Sequence, residues 1–101
     1  MVTRILVVDD SPVEQRLVGR LLEKALTDIA VVYADNGQQA LDTITAALPD
    51  MVISDLRMPV MNGLELVQNI KTRGLGLPVI LMTSYGNEQI AVQALQSGAA
   101  S

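Results

Sequence analysis

Four short apolar runs constrain this chain more than any other feature: Ile5-Leu6-Val7-Val8, Ala30-Val31-Val32-Tyr33-Ala34, Met51-Val52-Ile53 and Val79-Ile80-Leu81-Met82. They are rich in β-branched residues and mostly continuous rather than alternating, the pattern of strands buried on both faces. Strands of that kind need helices above and below them, and the intervening segments are helical in period. The runs start at residues 5, 30, 51 and 79, so 25, 21 and 28 residues separate successive starts. The predicted order is β-α repeated four times, a doubly wound α/β sheet with right-handed crossovers. Extending from 79 by 21 to 28 residues places another strand start at 100 to 107. The sequence to Ser101 is therefore expected to stop one strand and one helix early, leaving the fourth strand as a bare edge.

The first helix has the clearest start. Ser11 is a good N-cap, Pro12 suits the first helical position where no N–H is needed, and Glu14 stands three after the cap to complete a capping box. Its apolar stripe is read as Val13, Leu17, Leu21 and Ala25, with Val18, Leu22 and Leu26 beside it. A second helix is expected from about Gly37 to Ala47 with Ala40, Leu41, Ile44 and Leu48 inward. A third follows Gly63, with Leu64, Val67 and Ile70 on one side. The fourth, about Asn87 to Ser97, carries Ile90, Ala91, Ala94 and Leu95, with Gly98 as its left-handed terminator. Gly74-Leu75-Gly76 follows a helix and reads as a turn, Tyr33 as strand packing and the five Met as core filler.

Composition removes much chemistry. With no His and no Cys, imidazole bases, thiolate nucleophiles, disulfides and the usual zinc ligands are excluded. The net charge of −4 argues against holding a nucleic-acid backbone and for a metal cation as the charged partner. Met1-Val2-Thr3-Arg4 runs directly into the first strand with no leader pattern, and no apolar run is long enough to span a bilayer. A cytoplasmic domain is the expectation.

The remaining polar residues fall at strand ends: Asp9 and Asp10 after the first, Asp55 after the third and Thr83 after the fourth. In a parallel sheet these ends share one rim, where ligands of open α/β sheets bind at the reversal of strand order. Taken singly, Asp10 can favour a helix N-terminus, Asp55 can cap a loop and Thr83 can be an ordinary strand residue. Together they make an acidic cluster. Two such charges about 4 Å apart repel by roughly 4 kcal/mol at an effective dielectric near 20, so a cation belongs there. Mg²⁺, which takes hard oxygens and is bound by one or two carboxylates with a phosphate, fits best.

With these residues, Ile5-Leu6-Val7-Val8-Asp9-Asp10, Asp55-Leu56-Arg57-Met58-Pro59-Val60-Met61-Asn62-Gly63 and Leu77-Pro78-Val79-Ile80-Leu81-Met82-Thr83, the chain resembles the CheY-like receiver domain of two-component response regulators over essentially its whole length. The resemblance implies a flavodoxin-like strand order 2-1-3-4, with 5 to follow, and one receiver domain over residues 1–101 that is incomplete at its C-terminal end. It implies Asp55 as the phosphoacceptor and Asp9 and Asp10 as Mg²⁺ carboxylates, joined at the metal by Asp55 and the backbone carbonyl of Arg57. Thr83 would contact the phosphoryl group and move on activation. Arg57, Pro59 and Tyr85 would modulate the site, Arg57 and Tyr85 by hindering the hydrolytic water, unless both project into solvent. The implied donor is a phosphohistidine on a sensor histidine kinase or histidine phosphotransfer protein. The implied output is a fused or separate domain, without direct nucleic-acid or membrane contact by this segment. The chain would then catalyse only its own modification. The competing reading is a receiver-like interaction module that is not phosphorylated. A small Mg²⁺-dependent phosphatase lacks the acid–base residue it would need after Asp55.

Overall fold

Each apolar run forms a strand, and each helical segment that can be followed forms a helix. The computed structural model describes residues 2–82. Within them the order is β1 (Thr3–Val8), α1 (Pro12–Ala25), β2 (Ile29–Ala34), α2 (Gly37–Ala46), β3 (Met51–Asp55), α3 (Gly63–Thr72) and β4 (Val79–Met82). The expected fourth helix, with Gly98, lies outside the described residues.

All strand pairings are parallel, in the order β2-β1-β3-β4. The alternation of β1 sorts its side chains to two cores. Leu6 and Val8 join Ala40, Leu41, Ile44, Leu66, Val67 and Ile70 from α2 and α3. Ile5 and Val7 join Ile53 and Val18 of α1 on the other face. Continuous hydrophobicity thus reflects burial on both sides of the central strands β1 and β3, whereas in β2, at the sheet edge, only Ala34 is buried and Tyr33 is exposed.

Register sets the functional rim. Val8 pairs with Ala34 on one side and Ser54 on the other, while Asp55 pairs with Met82. The residue after Val8 is therefore level with Asp55. The ladders extend past the strand ends through Asp9 N–H donating to the Ala34 carbonyl at 3.0 Å and Leu56 N–H to the Met82 carbonyl at 2.7 Å. The connection from β1 goes to one neighbour and that from β2 crosses to the other, so the β1–β3 seam is where strand order reverses.

Ala40, Leu41 and Ile44 of α2 are buried as expected, while α1, one position of α3 and Leu48 differ. On α1, Val13, Leu17 and Leu21 are 77%, 54% and 59% exposed; Val18 is buried as expected, and Gln15 and Gly19 are buried beside it. A strict four-residue stripe drifts by about 40° per step in a helix of 3.6 residues per turn, so it does not specify which of two adjacent faces packs. Here a polar residue decides. The Gln15 amide donates to the Asp9 carbonyl, the Ala34 carbonyl and Asp35 Oδ1 at 2.6, 3.2 and 2.9 Å, fixing its face against the sheet. Gly19 completes the fit, because any Cβ there would strike the Tyr33 hydroxyl. On α3, Leu66 rather than Leu64 is buried, and Leu48 after α2 is exposed. The Gly74-Leu75-Gly76 turn is as expected, with both glycines at positive φ.

Candidate functional site

The site is built from the ends of β1 and β3. Asp9 is buried, and its Oδ1 accepts from the Ser11 amide at 2.9 Å. Asp10 follows, exposed at the rim. Asp55 ends β3 and is half-buried, its Oδ1 accepting a long bond of 3.4 Å from the Arg57 amide. One carboxylate oxygen from each of Asp9, Asp10 and Asp55 lies within 4.8 Å of the others.

The loop after Asp55 is closed at its base. Asn62 caps α3 in a reciprocal box, Glu65 N–H donating to Asn62 Oδ1 at 2.8 Å and Asn62 N–H to Glu65 Oε1 at 3.2 Å. Gly63 N–H donates to the Leu56 carbonyl at 2.9 Å. A Cβ on Gly63 would come within 2.5 Å of the Asp55 carbonyl and 2.8 Å of Leu81 Cδ2, so only glycine permits this approach.

Electrostatics mark the cluster as cation-seeking. Burial, reinforced by repulsion from Asp55, Glu14 and Asp10, raises the Asp9 carboxyl to about 6 despite the Ser11 amide. Burial also raises Asp55, against the pull of the Arg57 and Leu56 amides and with repulsion from Asp10 and Glu14. Converging carboxylates whose charged forms are disfavoured by burial and by one another constitute a hard-oxygen donor set that a divalent cation would relieve. The residues present fit Mg²⁺.

The structure thus brings Asp9, Asp10 and Asp55 together. Arg57 and Pro59 are both exposed on the β3–α3 loop. The Pro59 carbonyl accepts from Met61 N–H at 2.7 Å across Val60, which holds φ of 70°. Thr83 and Tyr85 lie outside the described residues. One residue at the site was assigned elsewhere by sequence: Glu14 lines the pocket with Asp9, Ser54, Asp55 and Met82. The Ser11 N-cap is formed, its Oγ accepting from Glu14 N–H at 3.3 Å, but the returning half of the expected capping box is not. Asp9 already takes the Ser11 amide. An aspartate two before the cap, able to compete for that amide, is the signal that exposes this in the sequence.

Comparison with known proteins agrees with this geometry. The family model for the response regulator receiver domain matches residues 5–101. Over 81 residues the chain is 43% identical to the DNA-binding transcriptional regulator NtrC of Klebsiella pneumoniae, which covers 78% of this chain and 17% of that protein. Among solved structures, chemotaxis protein CheY4 of Vibrio cholerae superimposes with a TM-score of 0.80 at 28% identity, covering 99% of this chain and 83% of that one. The response regulator TrrA of Thermotoga maritima, solved in complex with Mg²⁺ and BeF, gives a TM-score of 0.77 at 31% identity, covering 92% and 79%. The chain spans about a fifth of the length of the curated relatives it matches.

Proposed function

The chain belongs to the response regulator receiver domain family, signalling modules of two-component systems, and from that premise we propose that it is switched by accepting a phosphoryl group on Asp55. The convergence of the Asp9, Asp10 and Asp55 carboxylates within 4.8 Å at the β1–β3 seam is the observation that carries this reading. Asp9, Asp10 and Asp55 would hold Mg²⁺, with the Arg57 carbonyl as a further ligand. Charge neutralisation at the phosphoryl oxygens and at the cluster itself is the chemistry that ion would supply when bound.

The rest of the chemistry belongs to the chain. Asp55 is held at the end of a central strand, with its carboxylate half-exposed toward the rim. An Asp55 oxygen attacks phosphorus in line with the leaving nitrogen of a phosphohistidine. The P–O bond forms as the P–N bond breaks, and the imidazole nitrogen keeps the bonding pair and takes a proton. The donor residue comes from a histidine kinase or phosphotransfer protein, since this chain has no His. The Arg57 amide, donating to Asp55 Oδ1 at 3.4 Å, orients the nucleophile. The product bears a dianion where a carboxylate stood, and Thr83 is the hydroxyl that meets it and carries the change onward. Arg57 and Tyr85 set how readily water reaches the phosphoryl group.

Titration with beryllium fluoride, a phosphoryl stand-in for carboxylates, tests the reading. One equivalent should bind to the parent chain only when Mg²⁺ is present, and none to Asp55→Asn. Binding to both proteins, or to neither, supports the unphosphorylated interaction module instead.

A further inference from the structure

Glu14 stands at the third position of α1, where a capping-box glutamate would fold back to the N-cap amide. The same molecule shows what that looks like: at α3, Glu65 accepts from the Asn62 amide at 3.2 Å. At α1 the equivalent donor, the Ser11 amide, is already bonded to Asp9 Oδ1 at 2.9 Å. Glu14 lines the acidic pocket with Asp9 and Asp55 instead. Its charge acts on both of their carboxyls. Yet it is not one of the three residues whose carboxylate oxygens converge within 4.8 Å. A partly buried carboxylate released from helix capping and placed one layer outside a cation-seeking cluster has a defined job.

We propose that Glu14 is a fourth carboxylate of the pocket, one that strengthens Mg²⁺ binding from the outer sphere and opposes the approach of an anionic phosphodonor. Mg²⁺ dehydrates reluctantly and keeps several waters when bound by a few carboxylates. From the pocket wall Glu14 would accept hydrogen bonds from that retained water, and partners of this outer kind tune metal affinity about 10- to 100-fold. Before the ion binds, the same charge repels a negatively charged donor.

The inference rests on the reading of Asp9, Asp10 and Asp55 as a Mg²⁺ site, and calorimetric titration of the full chain with MgCl₂ separates the two. We expect Glu14→Gln to weaken Mg²⁺ about tenfold. Glu14→Asp, which keeps the charge, should retain most of the affinity, and Glu23→Gln, an exposed charge farther along α1, should leave it unchanged. With Mg²⁺ saturating each protein, Glu14→Gln should take up phosphoryl from acetyl phosphate at least as fast as the parent. In that reaction the acetate leaves as the bond from Asp55 to phosphorus forms. Unchanged Mg²⁺ affinity in Glu14→Gln, an equal loss in Glu23→Gln, or slower uptake at saturating Mg²⁺ overturns the assignment of Glu14 while leaving the metal site standing. A parent chain that does not bind Mg²⁺ overturns both.

Discussion

Asp9 carries a carboxyl raised to about 6, against 3.8 for the free side chain, chiefly because it is buried. Between those two values the native chain holds a proton that the unfolded chain has released, so stability falls as pH rises through the window. The contribution is about 3 kcal/mol, from a shift of roughly two units at about 1.4 kcal/mol each. Metal-free protein should therefore melt at higher temperature at pH 5 than at pH 7, and most of that difference should vanish in Asp9→Asn. Thermal unfolding across this range measures it, and a parent chain that melts higher at pH 7 without metal contradicts it. Mg²⁺ should reverse the trend at pH 7 and bind less tightly below pH 6, as protons compete for the same oxygens. A second residue-scale effect sits at Val60, a β-branched side chain 80% exposed with φ of 70°. That conformation costs an L-residue roughly 1–2 kcal/mol, and the side chain buries little in return. Val60→Gly should raise unfolding free energy by about 1 kcal/mol in a denaturant titration. At this scale the sequence was legible where chemistry is local: Asp9, Asp10 and Asp55 fall where the strand ends put them. Glu14 was not, because its role depends on which of two carboxylates captures one backbone amide.

Among elements, the central strands β1 and β3 were read closely because burial on both faces leaves their side chains no alternative side to occupy. The helices were read in place, with the α2 face as expected and the α1 face turned. Spacing shows that α1 has an apolar stripe, yet the face that packs is set by Gln15 bonding to the β1 and β2 ends and by Gly19 admitting Tyr33. It follows that Leu17→Gln should change the stability of this chain by no more than about 0.5 kcal/mol. Leu66→Ala, at a fully buried position, should cost about 2–5 kcal/mol. Equal losses in chemical denaturation would refute the observed orientation of α1. Gly63 links an element boundary to the site. Adding a methyl group forces apart the Asp55 carbonyl and the start of α3, two segments of backbone that cannot yield as a side chain can. Gly63→Ala should both lower the melting temperature and weaken Mg²⁺ binding, whereas Gly37→Ala, which meets the Met61 side chain from its Cβ outward, should cost stability but spare the metal.

For the molecule as a whole, one topological fact assembles the site. Residues 9, 10 and 55 are distant in sequence and adjacent in space because β1 and β3 are parallel neighbours in register at the reversal of strand order. Regular β-α alternation made a parallel doubly wound sheet legible in advance, and the order itself was implied by the resemblance to the receiver family. How deeply each carboxylate is buried, and which amides it holds, needed the packed structure. No helix among the described residues is long and apolar enough to cross a membrane. The most direct test of the central claim is the intact mass of the chain after incubation with Mg²⁺ and acetyl phosphate, with Asp55→Asn and a metal-free control in parallel. The parent should gain the mass of one phosphoryl group only when Mg²⁺ is present, and Asp55→Asn should gain none. Equal gain in both proteins would place the acceptor elsewhere, and no gain in the parent would contradict the switch itself.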